Sequence, residues 1–216
     1  KGPNYNILGD HFSPVTALIA PFYRVFPHAQ TILIAQAVLL GLSVVVIARL
    51  AIRHLGPWWG SLIAVLYATS FGMQAAVRVD FHEVAFAVPL LALAGAAFVD
   101  GQWDRVIWWS LPLFLVKEDL GLTVAAVGVA LWLAGERKRG LWLGIIGVLG
   151  TVIVVLLVIP YFNSGGEYDY VDTLGGERGI LQTLIAEPQT KLLTILISLG
   201  VGGLAAFGSP WIVAVI

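Results

Sequence analysis

The chain has 216 residues, of which 59% are hydrophobic and only 12% charged, and its mean hydropathy is +0.91. A soluble domain carries about 25% charged and about 45–50% apolar residues, so this is the composition of an integral membrane protein. The net charge of −1 and the lack of any basic run longer than Arg137–Arg139 offer nothing to nucleic acid, and without cysteine there is no disulfide, thiolate metal site or cysteine nucleophile.

The chain opens at Lys1 in polar sequence and closes on WIVAVI, inside an apolar run, which reads as a section of a longer protein with helices before and after it. Lys1–His11 is polar, with Gly, Pro and Asn, and reads as loop. Ser13 is placed to cap a helix with Pro14 at its first position. The run to Phe26 is too short to cross a bilayer, and Phe22, Tyr23, Phe26 and Arg24 suit a helix lying in the membrane interface.

Thr31–Ile52 is a full span, closed by Arg49, Arg53 and His54. Trp58–Val79 is the next, with Trp58 and Trp59 as interface anchors. Phe81–Val99 is a third, with a kink expected at Pro89. After Asp100–Asp104 two apolar arms, RVIWWSLPLFLV and LGLTVAAVGVALWLA, flank the charged triplet Lys117–Asp119. A perpendicular crossing takes about 20 residues, so these shorter arms predict a pair of short helices meeting at a charged apex. Leu141–Phe162 is another span, and Gly140, Gly144 and Gly147 at its start permit close helix contact. Asn163–Gln189 is the longest polar stretch, and Lys191–Phe207 is a further span.

The expected fold is therefore all-α, a polytopic transmembrane helix bundle in a single domain, 1–216. Within it, 1–30 forms an outer loop and interfacial helix, 31–162 the bundle, 163–189 an outer loop and 190–216 further helices cut short.

Lys and Arg mark the cytoplasmic loops of membrane proteins. Arg49 with Arg53, Arg105, and Arg137–Arg139 mark three such loops. Alternating crossings then place Asp10–His11, Asp80–Glu83, Lys117–Asp119 and the 163–189 loop together on the opposite, outer side. Each charge at the bilayer centre costs from about 2.5 kcal/mol upward, so Lys117, Glu118 and Asp119 belong at a membrane boundary or in a polar cavity.

Held together, these acid and histidine clusters would suit a divalent cation, Mg²⁺, Mn²⁺ or Ca²⁺ through oxygen ligands or Zn²⁺ through imidazole. His82 and Glu83, with Asp10 and Glu118, are the ligand candidates. They would equally suit general base chemistry, because clustered carboxylates raise one another's pKa. The catalytic candidates are Asp10, His11, Glu118 and Asp119. Simpler roles compete with these. Asp80 and Glu83 favour a helix dipole, and Lys117 is the natural ion-pair partner for Glu118 and Asp119 near a membrane. His28 and His54 read as structural. Tyr168 and Tyr170 lie in a solvated loop able to contact substrate. GGERG at Gly175–Gly179 does not follow a strand and is no phosphate loop.

GDHFSP (Gly9–Pro14), DFHEVAFAVP (Asp80–Pro89), LVKEDLGL (Leu115–Leu122) and VIPYF with the Gly-rich Tyr loop after it (Val158–Tyr170) occur in that order. Together they resemble the prokaryotic predicted-membrane-protein family called domain of unknown function 2079, over nearly the whole chain. That family is similar to the GT-C glycosyltransferases, polytopic enzymes that take sugar from a polyprenyl-phosphate donor at the outer face. The resemblance implies a GT-C-like fold in a prokaryotic plasma membrane, with Asp10 matching the acidic catalytic residue of the first outer loop. It further implies Asp10 as proton acceptor, with His82, Glu83, Glu118 and Asp119 holding a metal ion, or the donor phosphate through a metal, and Lys117 contacting that phosphate. Two other functions fit the same residues: an ion, proton or solute transporter, since intramembrane charges and broken helices also mark such pathways, or a non-catalytic scaffold whose clusters lie far apart.

Overall fold

A computed structural model describes residues 6–163 and 187–194. Among the described residues every regular element is helical. A 3₁₀ turn at Pro14–Ile19 leads into α1 (Ala20–Val25), the short helix expected near the N-terminus. Ser13 does occupy the position before Pro14, but its buried side chain caps nothing; its carbonyl instead accepts from Thr16 Oγ1 at 2.8 Å.

Helix α2 (Ala29–Ala68) is two arms, 29–55 and 57–68, hinged at Gly56 with φ +80° and ψ 170°. That backbone conformation suits glycine, and Pro57 begins the second arm, where a missing N–H costs little. The arms fold back on each other. Gly60 lies so close to Ala51 and Ile52 that a side chain there would strike their backbone, and Tyr67 Oη donates to Ser43 Oγ at 3.1 Å. The second arm ends where Thr69 turns both its N–H and its hydroxyl onto the Val65 carbonyl, at 2.9 and 2.7 Å. Ser70 is then extended and α3 (Phe71–Arg78) starts afresh. The single span expected over Trp58–Val79 is thus two helices, because hydroxyl side chains compete for the backbone groups that continue a helix.

A 3₁₀ turn at Glu83–Phe86 precedes α4 (Ala87–Val99). The kink expected at Pro89 is absent. Pro89 falls in the first turn of α4, where its missing N–H would have had no intrahelical partner. Then α5 (Trp103–Ser110) tightens into a 3₁₀ turn at Leu111–Leu115, with Pro112 inside it, and after the charged apex the chain resumes as α6 (Leu120–Leu133). The two short arms are therefore present. Helix α7 (Arg137–Ile153) passes through a π turn at Val154–Val158 into α8 (Ile159–Phe162). The wider turn lets the chain pass Pro160, which has no N–H to give.

Helices α6 and α7 lie antiparallel at backbone contact. A Cβ on Gly140 would sit 2.5 Å from the Gly128 carbonyl oxygen and the Trp132 nitrogen, and Gly147 meets Ala125 as closely. Glycine at these positions lets the two backbones meet. Below the apex, Leu113, Val116, Val124, Leu131 and Leu143 form the core with Ala87 and Val106.

Among the described residues two helical stretches, Ala29–Ala68 and Arg137–Phe162, are long and apolar enough to cross a membrane. Their large apolar side chains face outward, among them Ile34, Val38 and Leu42 on α2 and Leu149, Leu156 and Leu157 on α7 and the turn after it. Contiguous apolar surface of this extent is rare on water-soluble monomers and suits contact with lipid. The expected span Lys191–Phe207 lies largely outside the described residues.

Candidate functional site

Ion pairs gather the loops into two groups. In one, Asp100 meets Arg53 Nη2 at 3.0 Å and His54 Nε2 at 2.9 Å, and Arg139 bridges Asp104 at 3.1 Å and Glu136 at 2.6 Å. His54 thus has the structural role expected for it. The helices lead from these loops to the other group, which holds the acid and histidine clusters.

The site begins with a short 3₁₀ turn, Ile7–Gly9, capped where Asn6 Oδ1 accepts the Leu8 N–H at 3.0 Å. Gly9 presses on the end of α8; a Cβ there would lie 2.5 Å from the Phe162 carbonyl carbon and oxygen. The His11 N–H donates back to the Ile7 carbonyl at 3.0 Å. This folded segment carries His11 to Glu118.

Glu118 is only 4% exposed, and its carboxylate accepts from His11 Nδ1 at 2.9 Å and from the Phe12 N–H at 3.1 Å. A buried carboxylate is tolerable only when partnered in this way. An ionised carboxylate can only accept, so opposite ionised Glu118 the ring donates from Nδ1, and Nε2 is its second nitrogen. The apex itself is fixed from below. The Phe114 ring fills a notch beside Gly121 and Gly150, and Val116 is fully buried in the core.

Next to Glu118, Lys117 Nζ lies 3.5 Å from Glu83 Oε1. The lysine is thus paired with an acid from the second cluster and not, as the sequence suggests, with its neighbours Glu118 and Asp119. Asp119 is exposed at the start of α6, and its side chain makes no cap. Asp10 is half-buried where the Ile7–Gly9 turn ends. Asp80 and His82 are exposed, and His82 Nδ1 rests 3.0 Å from the Asp80 carbonyl. Tyr168 and Tyr170 lie outside the described residues.

One residue that positions the site has no place in the motif reading. Gln36, 4% exposed on α2, accepts the His82 N–H at 2.9 Å and donates to the Ala76 carbonyl at 2.9 Å. It ties the His82–Glu83 segment to the first long helix. A lone amide inside an apolar run was the available signal, since such groups in membrane segments need a partner.

Among the described residues no group of three or more His, Asp or Glu side chains is set to hold a metal ion. Glu83 faces the Lys117 ammonium and Glu118 meets His11 and Phe12, so the described donors, as arranged, are not gathered around one point for a divalent ion. An apolar groove of about 640 Å³ runs between the Pro14–Val25 segment and α2, lined by Leu18, Phe22, Ile34 and Val38. Its far wall is Phe86, from the same 3₁₀ turn as Glu83.

No curated protein and no solved structure matches the chain significantly. A family model described as predicted membrane protein (DUF2079) matches residues 1–215, and the chain belongs to that family.

Proposed function

We propose that this protein is a multi-pass, GT-C-like glycosyltransferase of the prokaryotic plasma membrane, taking sugar from a polyprenyl-phosphate donor at the outer face. The observation that carries the reading is the meeting of three distant segments at one end of an apolar bundle, through His11 with Glu118 and Lys117 with Glu83. The apolar groove lined by Phe86, which shares a 3₁₀ turn with Glu83, has room for part of a lipid chain, while Lys117 supplies a cation for its phosphate.

The reaction is an inverting displacement. The acceptor hydroxyl oxygen attacks the anomeric carbon, the bond from that carbon to the phosphate oxygen breaks, and polyprenyl phosphate leaves with the electron pair. Asp10 is the base that the family resemblance favours. The geometry favours its neighbour His11, whose Nδ1 meets Glu118, so the hydroxyl proton passes to Nε2. Lys117 stabilises the charge that develops on the departing phosphate. Tyr168 and Tyr170 are candidates for acceptor contact, and Asp119 stands at the exposed rim. No step uses a metal ion.

A scaffold reading calls for clusters far apart, and two of the contacts here span three clusters. A transporter reading calls for a charged path through the middle of the helices, whereas these ion pairs gather at one end of them. The test is transfer of labelled sugar from polyprenyl-phosphate hexoses by the full-length protein in vesicles. His11→Ala and Glu118→Ala should each greatly reduce it at normal expression, whereas a loss confined to Asp10→Ala would move the base to Asp10. Undiminished transfer in all three would remove the assignment.

A further inference from the structure

We propose that α6 and α7 hold an anionic phospholipid at the end of the bundle opposite the His11–Glu118 pair. A second groove, of about 740 Å³, runs along the outer face of this helix pair, floored by Gly128, Gly140 and Gly144 and walled by Trp132, Leu141 and Ile145. Every described residue lining it is apolar or glycine, which suits hydrocarbon and not a polar metabolite. From Gly140 to Leu149 it follows α7 for about 14 Å, the scale of an acyl chain.

The mouth of the groove supplies the charge. The Arg137 guanidinium stands 6.0 Å from the centroid of the Trp132 ring, which walls the groove. Lys138 follows it in the first turn of α7. The nearby acids do not neutralise these two cations, because Asp104 and Glu136 are both engaged by Arg139. Two cations at a helix N-terminus oppose the helix dipole, and an anion between them would relieve that conflict. A phosphate headgroup at Arg137 and Lys138, with one acyl chain lying over Gly140 and Gly144, satisfies both the charge and the apolar floor. Juxtamembrane basic residues attract anionic lipid in this way.

The test titrates purified full-length protein in detergent with phosphatidylglycerol and with phosphatidylcholine of the same chains, counting bound lipid by native mass spectrometry. Phosphatidylglycerol should bind about tenfold more tightly. The double variant Arg137→Ala/Lys138→Ala should abolish that preference. Gly144→Leu fills the groove, since a Cβ there meets no atom within 4 Å, and should weaken both lipids without changing the melting temperature. Equal binding of the two lipids to the unaltered protein would overturn the proposal. So would an unchanged preference in the double variant, which decides the matter even if Gly144→Leu fails to fold. A dimer without bound lipid that Gly144→Leu dissociates would assign the groove to a second copy and likewise overturn it.

Discussion

His11 and Glu118 are 107 positions apart in the chain and meet at 2.9 Å, imidazole nitrogen to carboxylate oxygen. The contact closes the N-terminal segment over the apex between α5 and α6, and it also joins the only strongly buried acid among the described residues to an imidazole that remains about one-third exposed. One partner is anchored and the other is reachable, which is the division of work expected of an orienting carboxylate and a base.

Replacing Glu118 separates these roles. Glu118→Gln keeps the shape but removes the charge, and is expected to lower sugar transfer about tenfold, as loss of an orienting partner does elsewhere. His11→Asn removes the base and should lower transfer by about 10²–10⁴. Glu118→Leu also orphans the Phe12 N–H, at a cost of about 1–3 kcal/mol, visible as a lower melting temperature in detergent. Wild-type transfer by both Glu118→Gln and His11→Asn would show that the pair is only a strut.

The Lys117–Glu83 pair makes a prediction of opposite sign for its two members. If Lys117 contacts the donor phosphate, Lys117→Met raises KM for the donor more than it lowers kcat, as loss of binding does. Glu83→Gln releases the ammonium from its competitor and should leave KM unchanged or lower. Steady-state kinetics with one polyprenyl-phosphate sugar measures both. Equal losses in the two variants would mean that the pair serves structure alone, since a partly exposed ion pair contributes about 1 kcal/mol or less.

How far the sequence reveals this arrangement depends on the kind of residue. The apolar runs, the short arms beside Lys117–Asp119 and the glycines of α7 are legible because period, length and small size act locally. Grouping the clusters on one side is legible from the Lys and Arg of the opposite loops. The partner of Lys117 is not, because pairing with Glu83 depends on how α4 packs against the α5–α6 apex. Gln36 was equally hidden, since a single amide in an apolar run does not name the segment it will hold. The breaks at Thr69–Ser70 and the intact turn at Pro89 reverse a simple reading for one reason: hydroxyls can end a helix, and proline near a helix start does not bend it.

The α6–α7 interface distinguishes glycines that look alike in sequence. Gly140→Ala places a methyl against the Gly128 carbonyl and the Trp132 backbone, and should cost about 1–3 kcal/mol by forcing the helices apart. Gly144→Ala meets open space and should stay within about 0.5 kcal/mol of the parent. Thermal unfolding in one detergent compares them directly, and equal melting temperatures would refute the close contact at Gly140.

At the opposite end, Asp100 ties α4 to the first arm of α2. The hydrogen bond from His54 holds its carboxyl below the ordinary range, aided by the charges of Arg53 and His54 and opposed by partial desolvation. A carboxyl with a lowered folded-state pKa contributes stability in full above its unfolded value, about 3.9, and loses it as the pH falls through the folded value. Asp100→Asn should therefore melt below the parent at about pH 5, with a gap that narrows below about pH 4. Melting curves of both proteins in detergent from acid to neutral pH follow that gap. The turn lies outside the apolar spans, so bulk protons reach it, and a gap that widened from about pH 5 downward would show that the carboxyl is raised and not lowered in the folded protein.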